Sequence, residues 1–175
     1  HGHEDHIGAI PYILNQINAP IYATNLTIGL IQSKLEEHKM LDIVDLNVVK
    51  PGDTIALEKL KIEFIRTNHS IADSCALAIH TPLGIVVHTG DIKVDFTPVD
   101  GNVIDLQRLA KIGKQGVLLL MADSTNACHP GYTMSEKTVG ETLDNLFSKG
   151  KGRIIVATFA SNIHRLQQII NSSIK

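Results

Sequence analysis

The residues best equipped for chemistry stand at the start of the chain, where HGHEDH places His1, His3, Asp5 and His6 within six positions. Imidazole nitrogens and carboxylate oxygens are ordinary ligands of Zn²⁺ and related divalent ions, and a catalytic site keeps one position for water. His1, His3 and Asp5 are spaced by two, so an extended segment would turn all three to one side. His6 then enters the turn before a helix. Taken singly, Asp5 is a helix cap and His6 a first-turn side chain. Those roles explain each residue but not the set, and the spacing points to a metal centre.

Such a centre needs ligands from elsewhere, and loops that follow strands are where α/β proteins gather them. His69 lies in TNHS, after the apolar run 61–66, and Asp91 lies in HTGD, after 85–88. Alone, either would be a turn residue or a cap. Beside the opening motif they complete a two-metal set: three His for one ion, Asp5 and His6 for the other, Asp91 bridging. Two neighbouring ions lower the pKa of a shared water and stabilise charge in an in-line displacement. Asp5 is the candidate to orient the resulting hydroxide and take its proton. The remaining histidines suggest other roles: His38 at a helix end, His80 and His88 in strands, His129 in a His-Pro-Gly turn.

The elements that must carry these groups alternate between short β-rich runs and amphipathic helical stretches. The pattern predicts helices over 8–18, 25–38, 105–112, 135–147 and 162–174, with Pro11 in a first turn. PIYAT, 61–66, 75–80 and IVVH read as strands, and LNVVKPGDTIAL as two strands joined by a Pro-Gly-Asp turn. VLLLMAD is nearly continuously apolar and predicts a strand covered on both faces, and GRIIVATF another buried strand. Hairpins followed by β-α-β-α give a layered α/β protein.

Composition narrows the options. The 175 residues suffice for one substantial domain, or for one and part of another. A net charge of −2 gives no polycationic surface, so any nucleic acid must be held by a local site or a metal. Cys75 and Cys128 form no CxxC and fit a reduced, cytosolic protein. No apolar run approaches the ~20 residues a membrane span requires. The chain opens on His rather than Met, which is expected of a piece of a longer protein.

HxHxDH followed by a later His and a later Asp resembles the metallo-β-lactamase superfamily. More narrowly, HSIADS, TPLGIVVHTGDIKVDFTPVDG, ADSTNACHPGYTMSE and ATFASNIHRLQQII are similar to the ribonuclease J family of β-CASP nucleases. The likeness runs over essentially the whole chain. Ala72 departs from a common proline and Cys128 from a common polar residue, neither at a ligand position. The resemblance implies an αβ/βα four-layer metallo-β-lactamase sandwich, partial here, over 1–143. The start of a β-CASP α/β domain would follow over 144–175. It implies two zinc ions, or manganese, with His1, His3 and His69 on one, Asp5 and His6 on the other, and Asp91 between them. It further implies hydrolysis of RNA, both as 5′-to-3′ exonuclease and as endonuclease. The expected setting is a cytoplasmic homodimer or homotetramer, within an RNA-degrading complex and with no membrane partner. Asp123 matches the acidic β-CASP motif, where it would support a catalytic histidine that, like further ligands, lies outside 1–175. The segment alone is therefore expected to be inactive.

Ser161 and Asn162 end one predicted strand and open a helix. Two roles stand for them: an anion site for the RNA 5′ end, and a plain helix cap. His164 and Arg165, in the first turn, either assist that site or face solvent. Other function classes are a tRNA- or DNA-processing nuclease, a thioester hydrolase and a non-catalytic scaffold. The DSTNA and PGYTMSE strings weigh against the first two, and the intact ligand set weighs against the scaffold.

Overall fold

The computed structural model describes all 175 residues. Helices α1 (Glu4–Ile7) and α2 (Ile10–Leu14) lead to β1 (Ile21–Ala23), α3 (Asn25–Glu37), a short helical turn at Leu41–Ile43 and β2 (Leu46–Val48). Strands β3 (Thr54–Leu57), β4 (Leu60–Arg66), β5 (Cys75–Thr81) and β6 (Gly84–His88) follow. The chain continues through α4 (Leu106–Gln115), β7 (Leu119–Met121), α5 (Glu136–Lys149) and α6 (Ile163–Ile174). The result is a mixed α/β fold with two sheets, β1-β2 and β3-β4-β5-β6-β7.

In the larger sheet β3 to β6 are antiparallel neighbours, and β7 joins β6 in parallel. Strands β4, β6 and β7 therefore point the same way. The loops that leave them emerge at one end of the sheet, and these loops carry His69, Asp91 and Asp123. Topology alone thus gathers three candidate groups from distant parts of the sequence.

One face of this sheet is covered by α4, whose Ile112 and Leu109 pack on Ile65, Ala76, Ala78 and Val87. Two alanines with no exposed surface let the helix come close, and a larger residue at either would overpack the site by about 1–3 kcal/mol. On the other face, Phe64, Cys75 and Leu77 look across a cavity at Tyr22, Ala23 and Thr24. Outside the small sheet lie α1 to α3, joined by Ile7, Ile31, Leu35 and Met40 with Ile21 and Leu46 against them. Ile28, Ile31 and Leu35 recur at helical spacing, so α3 buries one continuous stripe. The layers run α4, larger sheet, smaller sheet, α1–α3.

Several sequence expectations are corrected. The helix expected over 8–18 is instead two short helices beginning at Glu4, with Pro11 in the first turn of α2. The two strands expected around Lys50-Pro51-Gly52-Asp53 are present and joined by that turn, but they do not pair with each other as a hairpin. Here β2 pairs with β1 and β3 with β4, and the turn carries the chain from one sheet to the other. It is closed by the Lys50 N–H donating to Asp53 Oδ2 at 2.8 Å, with Gly52 at φ +97°. VLLLMAD is a strand only over Leu119–Met121, and it forms an exposed edge: Leu118 and Leu120 are 62% and 60% exposed. Residues 152–159 form no strand, and Ile155 is 88% exposed. An apolar run becomes a covered strand only where a neighbour supplies backbone partners and a packing layer. Within these 175 residues neither run has both.

Three of the six α-helices begin with a side-chain cap. Asp105, Ser135 and Asn162 accept from backbone N–H groups of Arg108, Lys137 and Arg165 and so cap α4, α5 and α6. Thr24 precedes α3 without capping it. Its hydroxyl donates instead to the Asp73 carbonyl at 3.0 Å and ties the helix to the loop between β4 and β5.

Candidate metal centre

The opening motif lies over the sheet end where β4, β6 and β7 deliver their loops. Gly2 packs against the tip of the Leu30 side chain, which a Cβ there would push aside. His3 is extended, at φ −72° and ψ 151°, and Glu4 begins α1. The two-residue alternation therefore ends at His3. Asp5 stands on a helical turn rather than an extended segment, which leaves its side chain 76% exposed. His6 follows on the same helix.

Four imidazoles converge. The ring of His1 lies 4.7, 4.0 and 4.8 Å from those of His3, His6 and His69, centre to centre, and His3 is 4.9 Å from His69. Asp91 stands among them with its two oxygens divided. Oδ2 is 3.6 Å from His1 Nε2 and 3.5 Å from His69 Nε2, while Oδ1 is 3.3 Å from His6 Nε2. Asp5 Oδ2 is 3.7 Å from His6 Nε2. The ligand atoms fall into two groups, His1–His3–His69–Asp91 and Asp5–His6–Asp91, each within 4.8 Å and sharing one carboxylate.

This donor set fits a pair of divalent ions. His1 Nε2 and His3 Nε2 are buried and have no hydrogen-bond partner. A buried polar atom left unpaired costs on the order of 1–3 kcal/mol, and a coordinated cation removes that cost. Burial, followed by the neighbouring His3 ring, holds the His69 pKa below its ordinary value. The neutral imidazole is the form that coordinates.

The backbone around the ligands is held by groups that do not themselves reach the centre. Gly90, at φ +58°, turns the β6 loop so that Asp91 faces the histidines, and a Cβ there would press on the Cys75 carbonyl at 3.3 Å. Asp123 accepts from the Thr125 N–H at 2.8 Å and the Ile92 N–H at 3.1 Å, and its own N–H donates to Thr89 Oγ1 at 2.9 Å. The Thr125 hydrogen bond leads in holding its carboxyl below the usual range, against the effect of burial. Asp123 thus grips the chain one residue past Asp91. On the His69 side, Asn68 accepts from the Ile104 N–H at 2.9 Å and donates to the Asn102 carbonyl at 2.6 Å. Its backbone carbonyl takes the Lys93 N–H at 2.8 Å.

Other residues are placed as follows. Asn162 caps α6. Ser161 shares a cleft with Gly2, Glu4 and Ile71 of the ligand-bearing loops and with Lys34 of α3. Arg165 does not face solvent: its guanidinium donates to Glu136 Oε2 at 2.7 Å. His164 lines a polar pocket with His69, Lys93 and Asp95. His88 accepts from the Gly90 N–H at 3.0 Å, and His80 stands 3.6 Å from Glu63 Oε2. Asn68, Lys93 and Glu136 are assigned no role by the sequence, although Lys93 lies within TPLGIVVHTGDIKVDFTPVDG and Glu136 ends PGYTMSE. For Asn68 the signal is its place directly before His69 in TNHS. No helix is long and apolar enough to cross a membrane.

No protein-family model matches the chain. Ribonuclease J of Synechocystis sp. is 52% identical over 173 residues, which cover 98% of this chain and 27% of that protein. Ribonuclease J 1 of Streptococcus pyogenes is 47% identical over 175 residues, 100% of this chain and 31% of that one. The chain therefore spans between about a quarter and a third of the length of the curated relatives it matches. Among solved structures, a protein of unknown function from Enterococcus faecalis superposes with a TM-score of 0.65 at 20% identity. That match covers 87% of this chain and 39% of the other, and shows a shared fold.

Proposed function

Since the chain belongs to the ribonuclease J family over its whole length, we propose that the protein carrying it is a metal-dependent ribonuclease that hydrolyses RNA phosphodiester bonds. The observation that carries this is the division of Asp91: one oxygen faces His1 and His69 and the other faces His6. A carboxylate so shared suits two ions a few Å apart, the arrangement of two-metal phosphoryl chemistry. His1, His3 and His69 would hold one zinc or manganese ion, Asp5 and His6 the other, with Asp91 between. When bound, the pair supplies a nucleophile from water near neutral pH and neutralises charge on the phosphate.

The chain's own residues do the rest. Asp5, the most exposed ligand, takes the proton of the attacking water and can pass it to solvent. Asp123 keeps Asp91 in place by its hold on the Ile92 N–H. Ser161, with the N-terminus of α6, offers hydrogen-bond donors to the RNA 5′ phosphate across the cleft from Gly2 and Glu4. Such a seat supports 5′-to-3′ exonuclease action beside endonuclease action. A net charge of −2 is no obstacle when ions attract the phosphate.

The order of layers supports a metallo-β-lactamase sandwich over 1–143, with a β-CASP domain beginning over 144–175. Two free cysteines, Cys75 and Cys128, suit the cytoplasm, and the whole protein would act there as a dimer or tetramer. The test is cleavage of a labelled RNA by the complete protein before and after chelation, with zinc or manganese added back. Cleavage lost and restored supports the proposal, while cleavage indifferent to chelator, or none with metal loaded, refutes it.

A further inference from the structure

Helix α5 buries none of its residues, and α6 buries only Gln168 and Ser172. Ile163 at the start of α6 lines a cleft with Ile7, Leu30 and Ile71, and the polar contacts that tie this helix pair to the metal-centre loops meet at Glu136. Glu136 is the first residue of α5, and its side chain is only 15% exposed. Oε2 accepts from Arg165 Nη2 at 2.7 Å, in the first turn of α6. Oε1 is 3.6 Å from Lys93 Nζ, two residues past Asp91. Its backbone carbonyl accepts from Gln168 Nε2 at 2.8 Å, also on α6.

The same loop makes a second connection to α5. Lys93 Nζ is 3.6 Å from Asp95 Oδ2, and that oxygen accepts from the Ser135 hydroxyl at 3.0 Å, the cap of α5. The Lys93 N–H is itself bonded to the residue before His69. One carboxylate thus connects the two loops that carry His69 and Asp91 to the helix that opens just after Ser161 and Asn162.

A first-turn glutamate commonly does no more than face solvent and favour the helix dipole. Here both oxygens are directed inward onto cations from different parts of the fold. We propose that Glu136 is a positioning residue which fixes the distance between the metal centre and the phosphate seat at the start of α6. Through that spacing it would set how far a phosphate held in the seat contributes to turnover. The inference rests on the ribonuclease function proposed above. Its physical basis is that a chain held at two points reacts only if their spacing matches, and a displacement near 1 Å can cost up to ~100-fold.

The test uses the complete protein and one RNA oligomer in two forms, 5′-phosphorylated and 5′-hydroxyl. Both kcat/KM with metal and binding of each form to metal-free protein, read by fluorescence anisotropy, are measured. Glu136→Ala is expected to lower the phosphate-to-hydroxyl preference by about tenfold in both readouts, with bound metal unchanged because Asp123 holds the Asp91 loop separately. Glu136→Gln retains an acceptor for Arg165 and is expected to fall between, and it serves alone if the alanine variant does not fold. Arg165→Ala should reproduce the loss, and the double variant should be no worse than the worse single. Wild-type preference retained in both Glu136 variants overturns the positioning role while leaving the ribonuclease function standing. A wild-type protein that cleaves no RNA overturns the function proposed above and this role with it, whereas one that cleaves the two forms alike has no phosphate seat at α6 and overturns this role alone.

Discussion

The carboxylate of Asp123 accepts the peptide N–H of Ile92 at 3.1 Å, and so holds the backbone one residue beyond Asp91 from a loop 31 residues away in sequence. Asp123 also takes the Thr125 N–H on its other oxygen, and it makes no hydrogen bond to the histidines. Removing it should therefore loosen the metal centre without removing a ligand. Asp123→Ala is expected to weaken zinc binding about 10- to 100-fold with the fold retained. Asp123→Asn keeps one acceptor and should lose less. Competition against a calibrated chelator, with circular dichroism as the control, measures both.

Asp91 itself should behave differently. Because its oxygens face two ligand groups, Asp91→Ala removes a donor from each. The complete protein is expected to fall from two bound metals to one or none by elemental analysis, whereas His3→Ala should empty only the group that contains His3. Equal stoichiometry in wild type and Asp91→Ala would count against a shared carboxylate.

How much of this is legible without the fold is best seen at particular residues. The spacing of His1, His3 and His6 and the strand-end positions of His69 and Asp91 depend on local sequence, which side-chain chemistry and period-two alternation can read. That β4, β6 and β7 all end on one side is not legible, because strand direction depends on pairing between distant segments. Period-two spacing misplaces Asp5 on an extended segment because the helix starts at Glu4, immediately after an extended His3. Composition alone makes VLLLMAD and GRIIVATF covered strands, yet coverage depends on neighbours that composition does not name. Glu136 and Lys93 escape notice for a similar reason: a charged residue on a helix or loop usually faces water, and only the tertiary fold directs these two at each other.

Gly90 offers a test of backbone conformation. At φ +58° an alanine incurs the left-handed penalty of roughly 1–2 kcal/mol, and its Cβ would press on the Cys75 carbonyl at 3.3 Å. Gly90→Ala is expected to lower the melting temperature by several degrees and to weaken metal binding through displacement of Asp91. Gly101, at φ +76° and with no atom within 4 Å of where a Cβ would stand, is the control. Gly101→Ala should show the melting loss and leave the metal untouched.

Acid stability should depend on an ion pair between β4 and α4. Glu63 is buried in β4 and receives two hydrogen bonds from the Arg108 guanidinium, one of them 2.7 Å, with His80 3.6 Å away. The Arg108 bond leads in holding its carboxyl below its ordinary value near 4.5, against the opposing effect of burial. A carboxyl depressed in the folded state binds its proton more weakly there than in the unfolded chain. Its stabilisation is therefore fully present above pH ~4.5 and is lost as pH falls through the lower folded value. Urea unfolding between pH 6 and pH 3 should show wild-type stability declining over the acid part of that window. Glu63→Gln should cost on the order of 1–3 kcal/mol at pH 6, because Arg108 loses its charged partner. The variant should also decline less steeply toward pH 3, so the two curves approach one another. Parallel curves would mean that Glu63 does not contribute to the acid transition.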